Sequence, residues 1–534
     1  MLRFTFGKRI ILGIVFISLS VLAFVLFIFN SNEEEIGKRA LIANIPFEME
    51  EILEVNFPDL NCNIKDYGAI GDGSTLNTDS IKKAIEDCSE KGGGTVLFPK
   101  GEWLTGAIHL KSNVAINIEK DSRIIFSTER KDYLPVVFTR YQGIELYNYS
   151  PPIYAKDCEN IAIIGQGEII GNGEKWKEWS DNSDVNNERD KLYKMAIDNA
   201  PVEERIFGTE ESGLRPSFIQ FINCKNILLR GIKVENGPMW TIHPVYSENI
   251  IIDNINVSTY SGNTDGIAID SSKNVIIKNS TLSTGDDVIV IKSGLEEDGW
   301  RVNKPSENIL IENCKFFTGH GAIAIGSEMS GGVRNIFAHN NTFTGTENGF
   351  RIKSTASRGG FIENIWIKDI VAENILNDAV VFNLEYNSKL EKDTIKKPLI
   401  KNITIQNFQV NQAKRAIKII GLPDLNMENI LIENMQAIET NSSRIENSRN
   451  ITLRNLNIIK KVKEDDDKPY SIKIENSQNI LFDKFKCKDD IKFCISVEGD
   501  KNENIDLSST NIRKEKINFA TEASLDSIIL GNNY

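Results

Sequence analysis

Three carboxylates, a histidine and two cations recur through one stretch of the chain at intervals that would let them work together. Asp265 follows Asn263-Thr264, Asp286 and Asp287 follow Gly285, His320 stands between Gly319 and Gly321, and Arg351 and Lys353 flank Ile352. Clustered carboxylates support general acid–base hydrolysis of a glycosidic bond: one keeps its proton because its neighbours are charged, and the others activate water. Two cations two residues apart on a strand point to the same side and suit a carboxylate, which arginine grips bidentately. Singly, each cluster reads more simply. Gly-Asp-Asp and Asn-Thr-Asp-Gly are ordinary turn chemistry, His320 fits a loop, and Arg351 with Lys353 fits a solvated strand face. Their order and their common phase single them out.

The elements that must position these clusters are short and β-branched, such as Val288-Ile289-Val290-Ile291 and Ala322-Ile323-Ala324-Ile325. From Asn160 the chain repeats itself: an Asn, an Ile-rich alternation, then a turn residue. The pattern returns at Asn226, Asn249, Asn274, Asn308, Asn335, Asn364, Asn402, Asn429, Asn450, Asn479 and Asn504, most spacings being roughly 21 to 38 residues, the solenoid range. Leucine at fixed positions, as in leucine-rich repeats, is absent, and the units are shorter and less uniform than propeller blades. The expected fold is all-β, a right-handed parallel β-helix in which stacked coils bury a continuous core. Equivalent residues on successive coils then lie about 4.8 Å apart, so the polar clusters line one groove.

A short capping helix from Ser80 to Glu90, closed by Gly92-Gly93-Gly94, opens the domain, since a terminal coil needs a polar outer face. Residues 61–534 form one catalytic β-helix, and a polar, aromatic, helical insertion at about 171–214 (Trp176, Trp179, Glu188 to Ile197) lies over one face. Ahead of it, residues 31–60 read as an acidic spacer. Residues 1–30 read as a targeting segment: Arg3, Lys8 and Arg9 precede an apolar run from Ile10 to Phe29. With no Ala-x-Ala before the acidic stretch, an uncleaved signal anchor stands ahead of a cleaved signal peptide. Either way the domain is exported, anchored to the membrane or free in the periplasm or medium.

A net charge of −13 argues against nucleic acid as a partner. A polyanionic substrate remains open to it, given a local basic cleft. Seven cysteines without Cys-x-x-Cys spacing indicate no zinc site, and read as buried thiols with room for one or two bridges.

The ordered set Asn263-Thr264-Asp265, Gly285-Asp286-Asp287, Gly319-His320-Gly321 and Arg351-Ile352-Lys353 resembles family 28 of the glycoside hydrolases, the polygalacturonases. The resemblance extends from Asp66-Tyr67-Gly68-Ala69 to the later coils. It implies inverting hydrolysis of α-1,4 bonds in pectic polysaccharide, with no metal and no cofactor. It also implies that Asp286 is the general acid, that Asp265 and Asp287 activate water, and that His320 supports the acid and the substrate. Arg351 and Lys353 would bind the galacturonate carboxylate at the cleavage point, with Asn263 beside them on the substrate. Arg215-Pro216, Pro238 through Pro244, Tyr141 through Glu145 and Asn148 through Pro151 resemble members that cut from a chain end. The protein is expected to work as a monomer. Trp240 and His243 could line the groove or pack beneath it. Three alternatives remain open: a hydrolase of rhamnogalacturonan fragments, a calcium-dependent β-elimination lyase on the same fold, and a non-catalytic glycan-binding β-helix.

Overall fold

The computed structural model describes residues 45–181, 184–209, 211–386, 396–423, 425, 427–461, 470–487, 491–520 and 522–531. The expected targeting segment, residues 1–30, and the first part of the spacer lie outside them. Two compact units divide the chain at Glu51. The described part of the first, residues 45–51, carries no helix or strand. The second begins at Ile52, so residues 52–60, read from the sequence as spacer, belong to it. Ile52 and Phe57 pack on a small apolar patch of Ala115, Ala162, Leu228 and Ile251.

Alternation of β-branched and polar residues drives the second unit into parallel strands that pair one coil to the next. The residue after each repeated Asn points inward and stacks: Ile161 pairs with Ile227, Ile227 with Ile250, Ile250 with Val275, and Val275 with Ile309. All five are at most 1% exposed. Burying such a side chain is worth about 1.5–3 kcal/mol, repeated coil after coil. This is the right-handed parallel β-helix that the repeat pattern implies.

The repeated asparagines turn the corners. Asn160, Asn226, Asn249 and Asn274 all have φ between 55° and 58°, the left-handed region that Asn tolerates better than other side chains with a Cβ. Each side-chain amide donates to the Asn one coil earlier, from Asn160 to Asn113 at 2.9 Å through Asn429 to Asn402 at 3.0 Å. Asn450 breaks the ladder by donating to the Met427 carbonyl instead.

The capping helix spans Thr78–Glu90. Its buried face, Ile81, Ala84, Ile85 and Cys88, closes the first coil. The insertion carries helices Gly173–Asp181 and Val185–Ile197. An antiparallel hairpin, Val137–Tyr141 with Ile144–Asn148, departs from the parallel pattern. Cys487 and Cys494 form a disulfide, and the other five cysteines are buried thiols, Cys224 and Cys314 among them. Among the described residues no helix is long and apolar enough to cross a membrane.

Candidate active site

One ladder of strands carries the site: Ile267–Asp270, Ile289–Lys292, Ile323–Ile325, Phe350–Lys353, Ile375–Asn383 and Leu399–Ile420. Ile267 pairs with Ile289, and Ile289 with Ile323. Asp265, Asp287 and Gly321, each two residues earlier, therefore fall in one row, with Asp286 and His320 one step to the side. Oxygens of Asp265, Asp286 and Asp287 all lie within 4.8 Å of one another. Glycine at 321 matters here, because a Cβ would sit 3.0 Å from Asp287 Oδ1 and fill the space that oxygen faces. That Oδ1 is buried and accepts no hydrogen bond from the described residues.

The cations gather on the same carboxylates. Lys353 Nζ donates to Asp287 Oδ2 at 2.5 Å, and Arg351 Nη1 is 3.7 Å from Asp287 Oδ1. His320 Nδ1 lies 3.0 Å from Asp286 Oδ1. The backbone amide of Asn263, an exposed residue, donates to Asp286 Oδ2 at 3.2 Å. The structure thus brings all seven sequence-selected residues to one place. Asp265 and Asp287 are buried, while Asp286, Arg351 and His320 keep part of their surface open.

Two residues that spacing did not reveal, a lysine and a tyrosine, complete the cluster. Lys292 is buried, 2.8 Å from Glu328 Oε2 and 3.7 Å from Asp265 Oδ2, with the Trp240 ring centre 4.3 Å from its Nζ. Tyr386 places its ring 5.6 Å from the Arg351 guanidinium and 5.7 Å from Lys353 Nζ. The Lys292 signal was hidden at the end of an apolar run. Tyr386 lies more than thirty residues past Lys353 with no repeat to mark it.

Electrostatics set Asp265 apart from Asp286. Burial, and then the charges of Asp286 and Asp287, push Asp265 well above the usual carboxylate range, against the pull of Lys292 and Lys353. Burial also pushes Asp286 up, but the hydrogen bond from His320 and the charges of Lys353, His320 and Lys292 outweigh it and hold it low. The Asp286 hydrogen bond raises His320 to about 8, more than burial lowers it. The surroundings thus favour the protonated form of Asp265 and the charged form of Asp286. By spacing alone three carboxylates would suit a cation. Lys292, Lys353, Arg351 and His320 already supply counter-charge there, which weakens the attraction for a metal ion.

Ala268, Val290 and Ala324, on the coils that carry the acidic cluster, form one row that runs on to Arg351, and this row is covered up to Arg351. The hairpin residues Tyr141, Ile144 and Leu146 pack with Leu192 of the insertion, Trp240 and Leu295 over Ala268, Val290 and Ala324. Arg140 anchors the hairpin: it is fully buried, and its Nη1 donates to Asp270 Oδ1 and Ser271 Oγ, both at 2.8 Å. Arg205 of the insertion meets Asp298 at 2.7 Å, another buried pair, and Arg301 pairs with Glu145 of the hairpin. Trp240 and His243 are buried beneath this plug; His243 Nδ1 is 2.8 Å from Ser217 Oγ, and its Nε2 is 3.5 Å from Asp270. Both pack rather than line the groove. A cavity of about 570 Å³ opens on another flank, but Lys225 and Lys273 there are paired with Glu248 at 3.0 and 2.8 Å, and no member of the acidic cluster borders it.

The model of the glycosyl hydrolases family 28 matches residues 206–412, and one described as rhamnogalacturonase A/epimerase, pectate lyase-like, matches residues 61–118. The chain is similar to a solved hyperthermoactive exopolygalacturonase of Thermotoga maritima, at 40% identity and a TM-score of 0.73 over 76% of this chain and 94% of that one. It is 29% identical to an exo-poly-alpha-D-galacturonosidase of Dickeya chrysanthemi, over 67% of this chain and 64% of the relative. It is 28% identical to a probable polygalacturonase of Vitis vinifera, over 70% and 74%.

Proposed function

The chain belongs to the glycosyl hydrolases family 28, and from that membership we propose that it hydrolyses α-1,4-galacturonosidic bonds of polygalacturonate with inversion, working from a chain end. The observation that carries the exo reading is the plug. A wall of buried apolar side chains covers the row Ala268, Val290 and Ala324 that leads to Arg351, while His320, Asp286 and Arg351 keep exposed surface. A polymer then reaches the cluster by its end rather than by its middle.

In this reading Arg351 and Lys353 draw the carboxylate of a galacturonate to the cleavage point, with Tyr386 and Asn263 beside it. Asp286 protonates the departing glycosidic oxygen, supported by His320, and Asp265 with Asp287 directs the water. With the proton favoured on Asp265 over Asp286 in the free site, one transfer from Asp265 to Asp286 would arm both groups. It turns Asp286 into an acid and Asp265 into a base without changing the charge of the cluster. The carboxylate oxygens are closer than the gap of about 6.5–9.5 Å usual for an inverting pair. The attacking water therefore sits against Asp265 and Asp287 rather than spanning a wide cleft. Export follows from the basic and apolar character of residues 1–30, which would anchor the enzyme or be removed from it.

Product analysis on de-esterified polygalacturonate, with and without a chelator, tests this function. Saturated monogalacturonate, first appearing as the β-anomer and insensitive to chelator, is the expected product. Unsaturated, chelator-sensitive products would make the protein a lyase. An α-anomer would refute inversion, and a ladder of oligomers would refute exo action.

A further inference from the structure

With the row covered over Ala268, Val290 and Ala324, it runs on past Arg351 only over the later coils, and there the site's own device recurs. At the cleavage point an arginine and a lysine share one buried carboxylate: Arg351 and Lys353 on Asp287, at 3.7 and 2.5 Å. Further along the same ladder Arg415 and Lys418 share Asp378, at 3.0 and 3.9 Å. The register ties the two sets together. Arg351 pairs with Val381 and Val381 with Lys418, so Lys418 stands two coils beyond Arg351 in the same outward row, roughly 10 Å away. Val381 between them is buried. Asp378 is linked back to the cluster through Asn348, whose Nδ2 donates to the His320 carbonyl at 2.7 Å and whose Oδ1 accepts from the Asp378 amide at 3.4 Å.

Asp378 has a side-chain exposure of only 6%, whereas Arg415 and Lys418 keep 18% and 20%. Two partly exposed cations on one buried anion leave an excess of positive charge. That excess stops at the next coils, where Arg444 and Lys473 both reach Glu446, at 3.3 and 3.0 Å, and Lys473 also faces Glu475 and Glu498. We infer that Arg415 and Lys418 form a second carboxylate-binding site, which grips the portion of a galacturonan chain lying past the cleavage point. The inference rests on the proposed function for its ligand. Its basis is the repeated two-cations-on-one-carboxylate arrangement and the covered row that leads to Arg351.

The test compares polygalacturonate with digalacturonate, which spans the cleavage point but does not extend two coils beyond it. In full-length protein the double substitution Arg415→Gln and Lys418→Gln should raise KM for the polymer about tenfold more than KM for the dimer. Asp378→Asn, which removes the shared anion, should move polymer KM the other way. Equal effects on polymer and dimer, or no effect on either, would overturn the inference. Retardation in gels containing polygalacturonate reads the site without turnover. A wild-type protein that cleaves neither substrate but is retarded, with retardation lost in the double variant, would refute the proposed reaction and keep this site. Retardation unchanged in the variant would remove the site whatever the enzyme cleaves.

Discussion

Replacing Arg140 with methionine should release the plug and change what the enzyme makes. The Arg140 guanidinium and the Asp270 carboxylate are both fully buried, 2.8 Å apart. Without the cation, Asp270 keeps Nε2 of His243, at 3.5 Å, and the charge of Lys292. Burial holds His243 low, and so do the charges of Arg140 and Lys292; removing Arg140 eases protonation of the imidazole, so the defect should be milder in acid. Leaving a buried carboxylate unpaired costs about 3–5 kcal/mol. The loss should fall on docking of the hairpin rather than on the stacked coils, whose contacts are untouched. Amide hydrogen exchange in Val137–Tyr141, followed by mass spectrometry, should accelerate by roughly two to three orders of magnitude, while the Ile161–Ile309 stack keeps its protection. The same variant should release short oligomers together with monomer. Arg140→Met combined with Asp270→Leu exchanges the ion pair for apolar groups and should restore much of the protection. Refutation is straightforward: if the single variant exchanges like wild type and still yields only monomer, the pair does not hold the plug in place. Equal damage in the single and double variants would assign the loss to packing instead of the unpaired charge.

Asp286→Asn should lower kcat by several orders of magnitude while polygalacturonate still binds, because the amide cannot deliver the proton; retained turnover would remove Asp286 as the acid. A second expectation concerns alkaline pH. His320 titrates near 8 in the folded protein, above its ordinary value of about 6.5. Its pairing with Asp286 therefore stabilises the site fully below about pH 6.5 and is lost as pH rises through about 8. The kcat/KM profile should fall on its basic limb near pH 8, and His320→Gln should abolish that limb; an unchanged limb in the variant would assign it to another group.

The legible parts of the molecule were those that repeat or cluster. Asn-Ile returns once per coil because one inward apolar position and one left-handed corner are needed each time, so the solenoid was readable from end to end. The three carboxylates and His320 of the candidate site were readable because each sits between strands, where polar residues stand out against β-branched runs. Lys292 was not, because a lysine closing Val288-Ile289-Val290-Ile291 reads as an ordinary strand end. Only the fold shows Glu328 and Trp240 converging on it. The hairpin left a usable signal: Gln142-Gly143, with φ of 47° and 84°, joins two β-rich runs as a two-residue turn. What no local pattern revealed is that Arg140 would be buried, since its partner Asp270 lies 130 residues away. Long-range ion pairs of this kind are a property of the stacking, not of any segment.

The asparagine ladder bears on how such a chain can change length. Each amide in it offers one donor to the coil before and one acceptor to the coil after, so every coil presents the same plug and the same socket. Duplicating or deleting a whole coil would add or remove one of each and strand neither. Gaining a single residue within a strand would turn its inward side chains outward and leave an amide without its neighbour. The natural unit of insertion and loss in this architecture is thus the complete turn. The handover at Asn450, where a backbone carbonyl replaces the expected amide, is the kind of seam at which two runs of coils can be joined.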